Sequence, residues 1–169
     1  VSLIGTSPLF LVAHASVPAT NFSELMALLK SKPGQVNYGS AGIGSVHHLT
    51  MEMLKAQATV NVVHVPYKGS GQSVPALVGG QVSLLFTALP AMAAHIKAGS
   101  VKVFAVNTPE RSPQEPNVPT FTELGVPEMD LLPEIGILAP AGTPGAIVNK
   151  LSAEIAKAVR NPDTVQRFR

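Results

Sequence analysis

Cysteine and tryptophan are absent from the 169 residues, and charged residues make up only 13% of them. Without cysteine there is no disulfide, no thiolate zinc site and no thiol nucleophile. No apolar run approaches the roughly 20 residues that a membrane-spanning helix needs, and residues 1–18, VSLIGTSPLFLVAHASVP, carry no basic leader of a signal peptide. Twelve Lys and Arg against ten Asp and Glu leave a net charge of +2 with no basic cluster, too sparse a surface to read nucleic acid. What the chain does have is a 46% hydrophobic content, enough for a sizeable core, and 15 prolines and 14 glycines that punctuate it into short elements.

The few charges are unevenly spread. Residues 21–107 hold two carboxylates, Glu24 and Glu52, against the six lysines at 30, 32, 55, 68, 97 and 102, a net charge of +4. Such a segment suits a small anion better than a cation or a metal.

Residues 10–13 form a short apolar run and read as a strand. Residues 21–34 read as a helix: Asn21 is the N-cap, Glu24 holds the capping-box position, and Pro33-Gly34 stops it. A brief strand at 35–38 leads through a glycine-rich loop into a second helix, marked by Val46, Leu49, Met53 and Ala56. The β-branched run 60–65 is a strand, 74–80 a short helix closed by glycines, 81–86 a strand, 91–99 a helix and 101–106 a strand. This alternation predicts a mainly parallel, right-handed α/β sheet. Residues 107–133, with six prolines, read as a long loop or interdomain crossing in which only TFTELG can make a helical turn. IGILAPAG then reads as a strand. An amphipathic helix follows, with Thr143 as cap, Pro144 at its first position, and a stripe of Ile147, Leu151, Ile155 and Val159. The chain ends inside another helical start, PDTVQRFR, which predicts a fragment of a larger fold.

Three strands each deliver the chain into a loop that opens a helix: SAGIGS at 40–45, YKGSGQS at 67–73 and FTALP at 86–90. In an open parallel sheet such loops gather at the carboxyl edge of the strands, where ligands bind. Helix starts there present unpaired N–H groups and the positive end of the dipole, glycine admits a ligand close to the backbone, and serine adds hydroxyl donors. Together they predict a cradle for an anionic head group, most simply a carboxylate. Ser40 and Ser45 as mere helix caps, and the glycines as mere turns, are the plainer alternative for any one loop.

Other chemistries find little support. Gly42-Ile43-Gly44 lacks the third glycine of a dinucleotide fingerprint and no Walker Gly-Lys-Ser/Thr is present, so no cofactor is expected. YGSAG misses the nucleophile elbow by one glycine, which leaves Ser45 without a catalytic setting. His47 and His48 read as ordinary helix histidines and His64 as a structural strand residue. His48 and Glu52 share a helix face, but two ligands without a third make no metal site. Lys68, among glycine and serine, is read as an anion partner, and Glu134 as an exposed hinge residue.

The stretches SPLFLVAHASVPATNFSELMALLKSKPGQVNYGSAGIGSVHHLTMEMLK, VHVPYKGSGQSVPALVGGQVSLLF, AGSVKVFAVNTPERSPQEPNVPTFTELGVP and GILAPAGTPGAIVNKLSAEI closely resemble the Bug family, the extracytoplasmic solute receptors of tripartite tricarboxylate transporters. The resemblance covers essentially the whole chain, and VPYKG, Gly44-Ser45 before His48-Leu49, and LAPAGTP together are highly specific. It implies a two-domain, periplasmic binding protein type II-like α/β fold without catalytic residues, made with a signal peptide. Such a receptor closes on a small carboxylate (a di- or tricarboxylate, an acidic amino acid or an aromatic acid) and hands it to membrane transporter subunits.

By the same resemblance, residues 1–130 are the second, ligand-binding domain with its entering hinge strand, and residues 131–169 return to a first domain that is incomplete here. Residues 9–13 and 135–139 are then the two strands passing between domains, close together. The family-like contacts fall on Ser40, Ala41, Gly42, Gly44 and Ser45, on Lys68, Gly69 and Ser70, and on Thr87 and Ala88. The chain departs from many relatives in having no Asp or Asn near Thr87, and in Glu134-Ile135 where an aromatic precedes the glycine; both places bear on ligand choice. An incomplete first domain would leave apolar surface bare and promote self-association. An effector-binding domain of a transcriptional regulator, and more remotely a hydrolase, stay open as alternatives.

Overall fold

A computed structural model describes residues 1–129 and 132–168, which fall into two compact units, Pro8–Leu132 and a smaller one made of Val1–Ser7 with Pro133–Arg169. In chain order the elements are β1 (Ser2–Thr6), β2 (Phe10–His14), α1 (Phe22–Ser31), β3 (Asn37–Ser40), α2 (Val46–Ala58), β4 (Val63–Pro66) and α3 (Ser70–Val78). There follow β5 (Leu84–Thr87), a 3-10 turn (Leu89–Ala91), α4 (Ala93–Lys97), β6 (Val101–Val106), β7 (Glu134–Ile137), α5 (Gly145–Arg160) and α6 (Pro162–Phe168).

The larger unit is built on a five-stranded sheet of order β4-β3-β5-β2-β6. β3 runs parallel to β4 and to β5, while β2 is antiparallel to both its neighbours, β5 and β6. Four of the five strands thus run the same way, as the alternating elements predict, and the reversed strand, β2, lies next to edge strand β6, so two of the four pairings are antiparallel. β2 and β5 are the uninterrupted apolar runs of the sequence because they are buried on both faces. Alternate residues of β2 feed two cores: Leu11 and Ala13 join Leu25, Leu29 and Leu54 under α1 and α2, while Phe10 and Val12 join Leu77 and Met92 on the side of α3 and α4. Edge strand β4 ends on Pro66, where a missing N–H costs the ladder nothing.

α1 starts where its cap signals place it. The Asn21 side chain accepts the Glu24 N–H at 2.9 Å, while the Glu24 carboxylate turns back to the N–H and hydroxyl of Thr20, both at 2.7 Å. Part of the expected crossing folds back onto the larger unit instead. Phe121 is buried and packs edge-on to Phe22, ring centroids 5.7 Å apart, and Thr120 bridges to Val106. TFTE does form a reciprocal cap, Thr120 N–H to Glu123 Oε2 at 2.8 Å and Glu123 N–H to Thr120 Oγ1 at 3.2 Å, but only turns follow it.

In the smaller unit β1 and β7 pair antiparallel, Ser2 opposite Ile137 and Thr6 opposite Glu134. The 135–139 segment has β1 as its partner, and residues 9–13 lie inside the five-stranded sheet. Residues 1–7, expected with residues 8–130, group instead with the return segment. The expected boundary at 130/131 falls outside the described residues. α5 begins one residue later than expected, with Pro144 as cap, because the Thr143 hydroxyl donates to Pro140 O at 2.8 Å instead of capping the helix. Leu138, Ile147 and Leu151 of this unit are exposed. Among the described residues no helix is long and apolar enough to cross a membrane.

Candidate functional site

The parallel register of β3, β4 and β5 brings their carboxyl ends to one edge of the larger unit. Ser40 is opposite Pro66 and Gly39 opposite Leu85, and Tyr67 N–H continues the ladder to Ser40 O at 3.1 Å. The loops after these strands therefore start side by side. They also touch: a Cβ on Gly42 would stand 3.3 Å from Tyr67 O, so only glycine lets the first loop lie against the second. Because β2 runs the other way, its first residue, Phe10, pairs with Thr87 at this same edge. Beside it Leu9 N–H donates to Asn107 Oδ1 at 2.6 Å and Asn107 N–H to Leu9 O at 3.0 Å.

Each expected contact residue has a definite place here. Ser40 and Thr87 are the buried last residues of β3 and β5, and Ala88 precedes the 3-10 turn. Gly69, at φ 127°, is the N-cap of α3 and Ser70 its first residue; Lys68 beside them is exposed. Ala41, Gly42 and Gly44 form the loop, with Gly42 at φ 130° and Gly44 at φ 78°, and Ser45 caps α2.

Several donors expected to meet a ligand are already engaged. Gly42 N–H donates to Ser40 Oγ at 3.1 Å and Gly44 N–H to His48 Nδ1 at 3.2 Å. The Ser45 hydroxyl donates to Gly42 O at 2.7 Å and accepts the His48 N–H at 3.3 Å, a helix cap rather than a free donor. Lys68 N–H is taken by Gln72 Oε1 at 3.1 Å. Among the described residues, the N–H groups of Ala41, Ile43, Ser70, Gly71 and Ala88 have no partner within the chain. Those of Ser70 and Gly71 belong to the first turn of α3, which no earlier carbonyl can satisfy.

Behind the first loop lies a cluster that the sequence reading missed. The rings of Tyr38, His64 and His48 stack in series, with centroids 4.8 Å and 4.2 Å apart. Tyr38 OH donates to Glu52 Oε1 at 2.6 Å, Lys55 Nζ donates to the same oxygen at 2.7 Å, and His48 Nε2 stands 4.0 Å from it. Ser40 Oγ lies 2.7 Å from His64 Nε2. Burial opposes the charge on Glu52, but the hydrogen bonds from Lys55 and Tyr38 outweigh it and hold the carboxyl below its ordinary range. Burial first, then the neighbouring carboxylate, pushes the Tyr38 phenol well up. His64 is held low by burial and by His48, against the opposing pull of Glu52. His47 is also held low by burial, and its Nδ1 is buried without a hydrogen-bond partner among the described residues. The His48–Glu52 spacing was visible in the sequence; the alignment of Tyr38 with His64 is a product of parallel register. Among the described residues no group of three or more His, Asp or Glu is placed to hold a metal ion.

Comparison with known proteins places these features in company. The family model described as the tripartite tricarboxylate transporter family receptor matches residues 1–169. The chain is 36% identical over 170 residues to the UPF0065 protein in the tcbD-tcbE intergenic region of Pseudomonas sp. strain P51, covering 100% of this chain and 51% of that protein. It is 34% identical over 168 residues to Protein BugT of Bordetella pertussis, covering 99% and 52%. It therefore spans about half the length of these relatives. Among solved structures, MatC of Rhodopseudomonas palustris with bound malate has a TM-score of 0.92 at 32% identity, covering 98% of this chain and 56% of that one. Rpa4515 of R. palustris with adipate has a TM-score of 0.91 at 32% identity, covering 98% and 55%.

Proposed function

Because the chain belongs to the tripartite tricarboxylate transporter receptor family, we propose that its larger unit holds the carboxylate group of a small organic acid for delivery to a membrane transporter. The observation that carries this reading is the sheet edge, where the loops after β3, β4 and β5 bring backbone N–H groups without partners to one side of the sheet. A carboxylate accepts several such bonds at once, and charge-assisted bonds are about twice as strong as neutral ones. The surroundings agree in sign, since Glu24 and Glu52 are the only carboxylates in residues 21–107 and the Glu52 charge is paired with Lys55. That similar proteins hold malate and adipate supports a dicarboxylate as the ligand class. Contacts are assigned to Ala41, Ile43, Ser70, Gly71 and Ala88 through the backbone, with Lys68 as the nearby cation. The receptor works outside the cytoplasm, in the periplasm, and turns over no substrate.

The test is a thermal-shift screen of mono-, di- and tricarboxylates, neutral sugars and metal ions against the protein in the form its gene encodes. A true ligand at about 100 times its dissociation constant stabilises the folded state by roughly 2.7 kcal/mol, a readily visible shift. A shift with dicarboxylates is expected. A protein that responds to sugars or cations and to no carboxylate refutes the reading.

A further inference from the structure

The loop at residues 40–45 holds two glycines at positive φ, Gly42 and Gly44, separated by the exposed Ile43. Left to itself such a loop samples many conformations, and a cradle of N–H groups binds well only when they are fixed in advance. Both glycines are fixed from the same side. Gly44 N–H is held by His48 Nδ1 at 3.2 Å, and Gly42 N–H by Ser40 Oγ, which is itself 2.7 Å from His64 Nε2. The two imidazoles are braced on each other at 4.2 Å, and His64 is braced on Tyr38, whose hydroxyl is locked to Glu52.

We infer that His48 and His64 are positioning residues of this loop: as a stacked pair anchored through Tyr38 and Glu52, they hold Gly44 and Gly42 in the turns that leave the Ala41 and Ile43 N–H groups open to a ligand. The inference rests on the carboxylate reading of the site only for what the loop binds, not for how the loop is held.

The chemistry of His48 gives this role a distinctive signature. To accept the Gly44 N–H, Nδ1 must carry no proton, so the ring is neutral with its hydrogen on Nε2, toward Glu52. The titratable and charged groups facing it are Glu52 and Lys55 from α2, Tyr38 from β3 and His64 from β4. Deleting Nδ1 removes the acceptor and frees the Gly44 turn, while the ring stack on His64 is kept by any flat ring.

Amide exchange of the Gly42 and Gly44 N–H groups is measured by NMR on the 15N-labelled protein, with malate affinity measured at one fixed pH near neutrality. His48→Phe and His64→Phe, which keep a flat ring and delete the nitrogens, are compared with the parent. Gly44 is expected to be protected in the parent and to exchange about tenfold faster in His48→Phe, the scale of one lost hydrogen bond. Malate binding is expected to weaken about tenfold in either variant. A Gly44 amide that is unprotected in the parent, or equally protected in His48→Phe, overturns the inference. The parent's Gly44 protection needs no substitution, so that outcome can be read even if a variant misfolds. Protection that depends on His48 in a parent that responds to sugars or cations and to no carboxylate of the thermal-shift screen supports the positioning role and refutes the carboxylate reading.

Discussion

Ser45 offers the sharpest separation of stability from binding. Taken as a ligand contact, its hydroxyl would matter for affinity and little for folding. The structure reverses that order, because the hydroxyl donates to Gly42 O at 2.7 Å and accepts the first-turn His48 N–H at 3.3 Å. Ser45→Ala removes both bonds and should cost about 1 kcal/mol of stability, within the 0.5–2 kcal/mol usual for a lost N-cap. Ser45→Asp still offers an oxygen to the His48 N–H and places a negative charge at the positive end of α2, so it should stay within about 0.5 kcal/mol of the parent.

For binding, the ranking inverts. A new carboxylate beside a bound one repels it: by Coulomb's law two like unit charges roughly 6 Å apart, at an effective dielectric constant of about 20 to 40, cost roughly 1.5–3 kcal/mol. Ser45→Asp should therefore bind malate about ten- to hundredfold more weakly, while Ser45→Ala, which adds no charge, loses less. Urea unfolding gives the stabilities and titration calorimetry the affinities. Equal destabilisation by both substitutions would refute the cap, and malate binding by Ser45→Asp at parental strength would refute a ligand at the start of α2.

Two further outcomes follow from the same geometry. Gly42→Ala puts a side chain at φ 130° and 3.3 Å from Tyr67 O, and should cost about 1–3 kcal/mol, whereas Gly71→Ala, in α3 with open space around the new methyl, should gain up to about 1 kcal/mol; urea unfolding of the pair reads the difference. His47 and His64 are held below the ordinary imidazole value, so the unfolded chain takes up protons that the folded one refuses: stability is full above about pH 6.5, falls as the pH drops below it, and falls again below about pH 4.5 as Glu52 loses its charge. Unfolding curves across that range should show a shallower loss in His47→Leu; an unchanged slope would mean that His47 titrates normally in the folded state.

The elements legible in the sequence are those whose signal is local. β2 and β5 announce themselves as apolar runs because both their faces are covered, and α1 through Asn21 and Glu24, whose cap bonds form within a single turn. β1 was not legible, since SLIGT is short, interrupted by Gly5 and only partly buried, and its sole reason to be extended is a partner at the other end of the chain. The reversed direction of β2 was equally invisible: strand–helix alternation predicts a parallel neighbour, but β2 is entered from the smaller unit, at the edge where β5 and β6 end. Proline density in residues 107–133 read as a long loop or crossing, although Phe121 supplies enough apolar area to pin its part of that segment onto the larger unit.

The site divides along the same line. That two glycine- and serine-bearing loops and the FTALP turn would share an edge could be read from the order of strands and helices, but which donors remain open depends on side chains brought in by register. Tyr38 and His64 sit on neighbouring strands at matched positions, and only that match carries the Glu52 anchor across to His64 and, through the ring stack, to His48. The consequence for an anion is electrostatic as well as geometric. Glu52, behind the loop, is kept ionised by Lys55 and Tyr38, so its charge is spent on anchoring the ring stack and is compensated locally by the ammonium. An approaching carboxylate then meets the ends of two helices and a set of open amides, with the Glu52 charge already paired behind the wall that holds them.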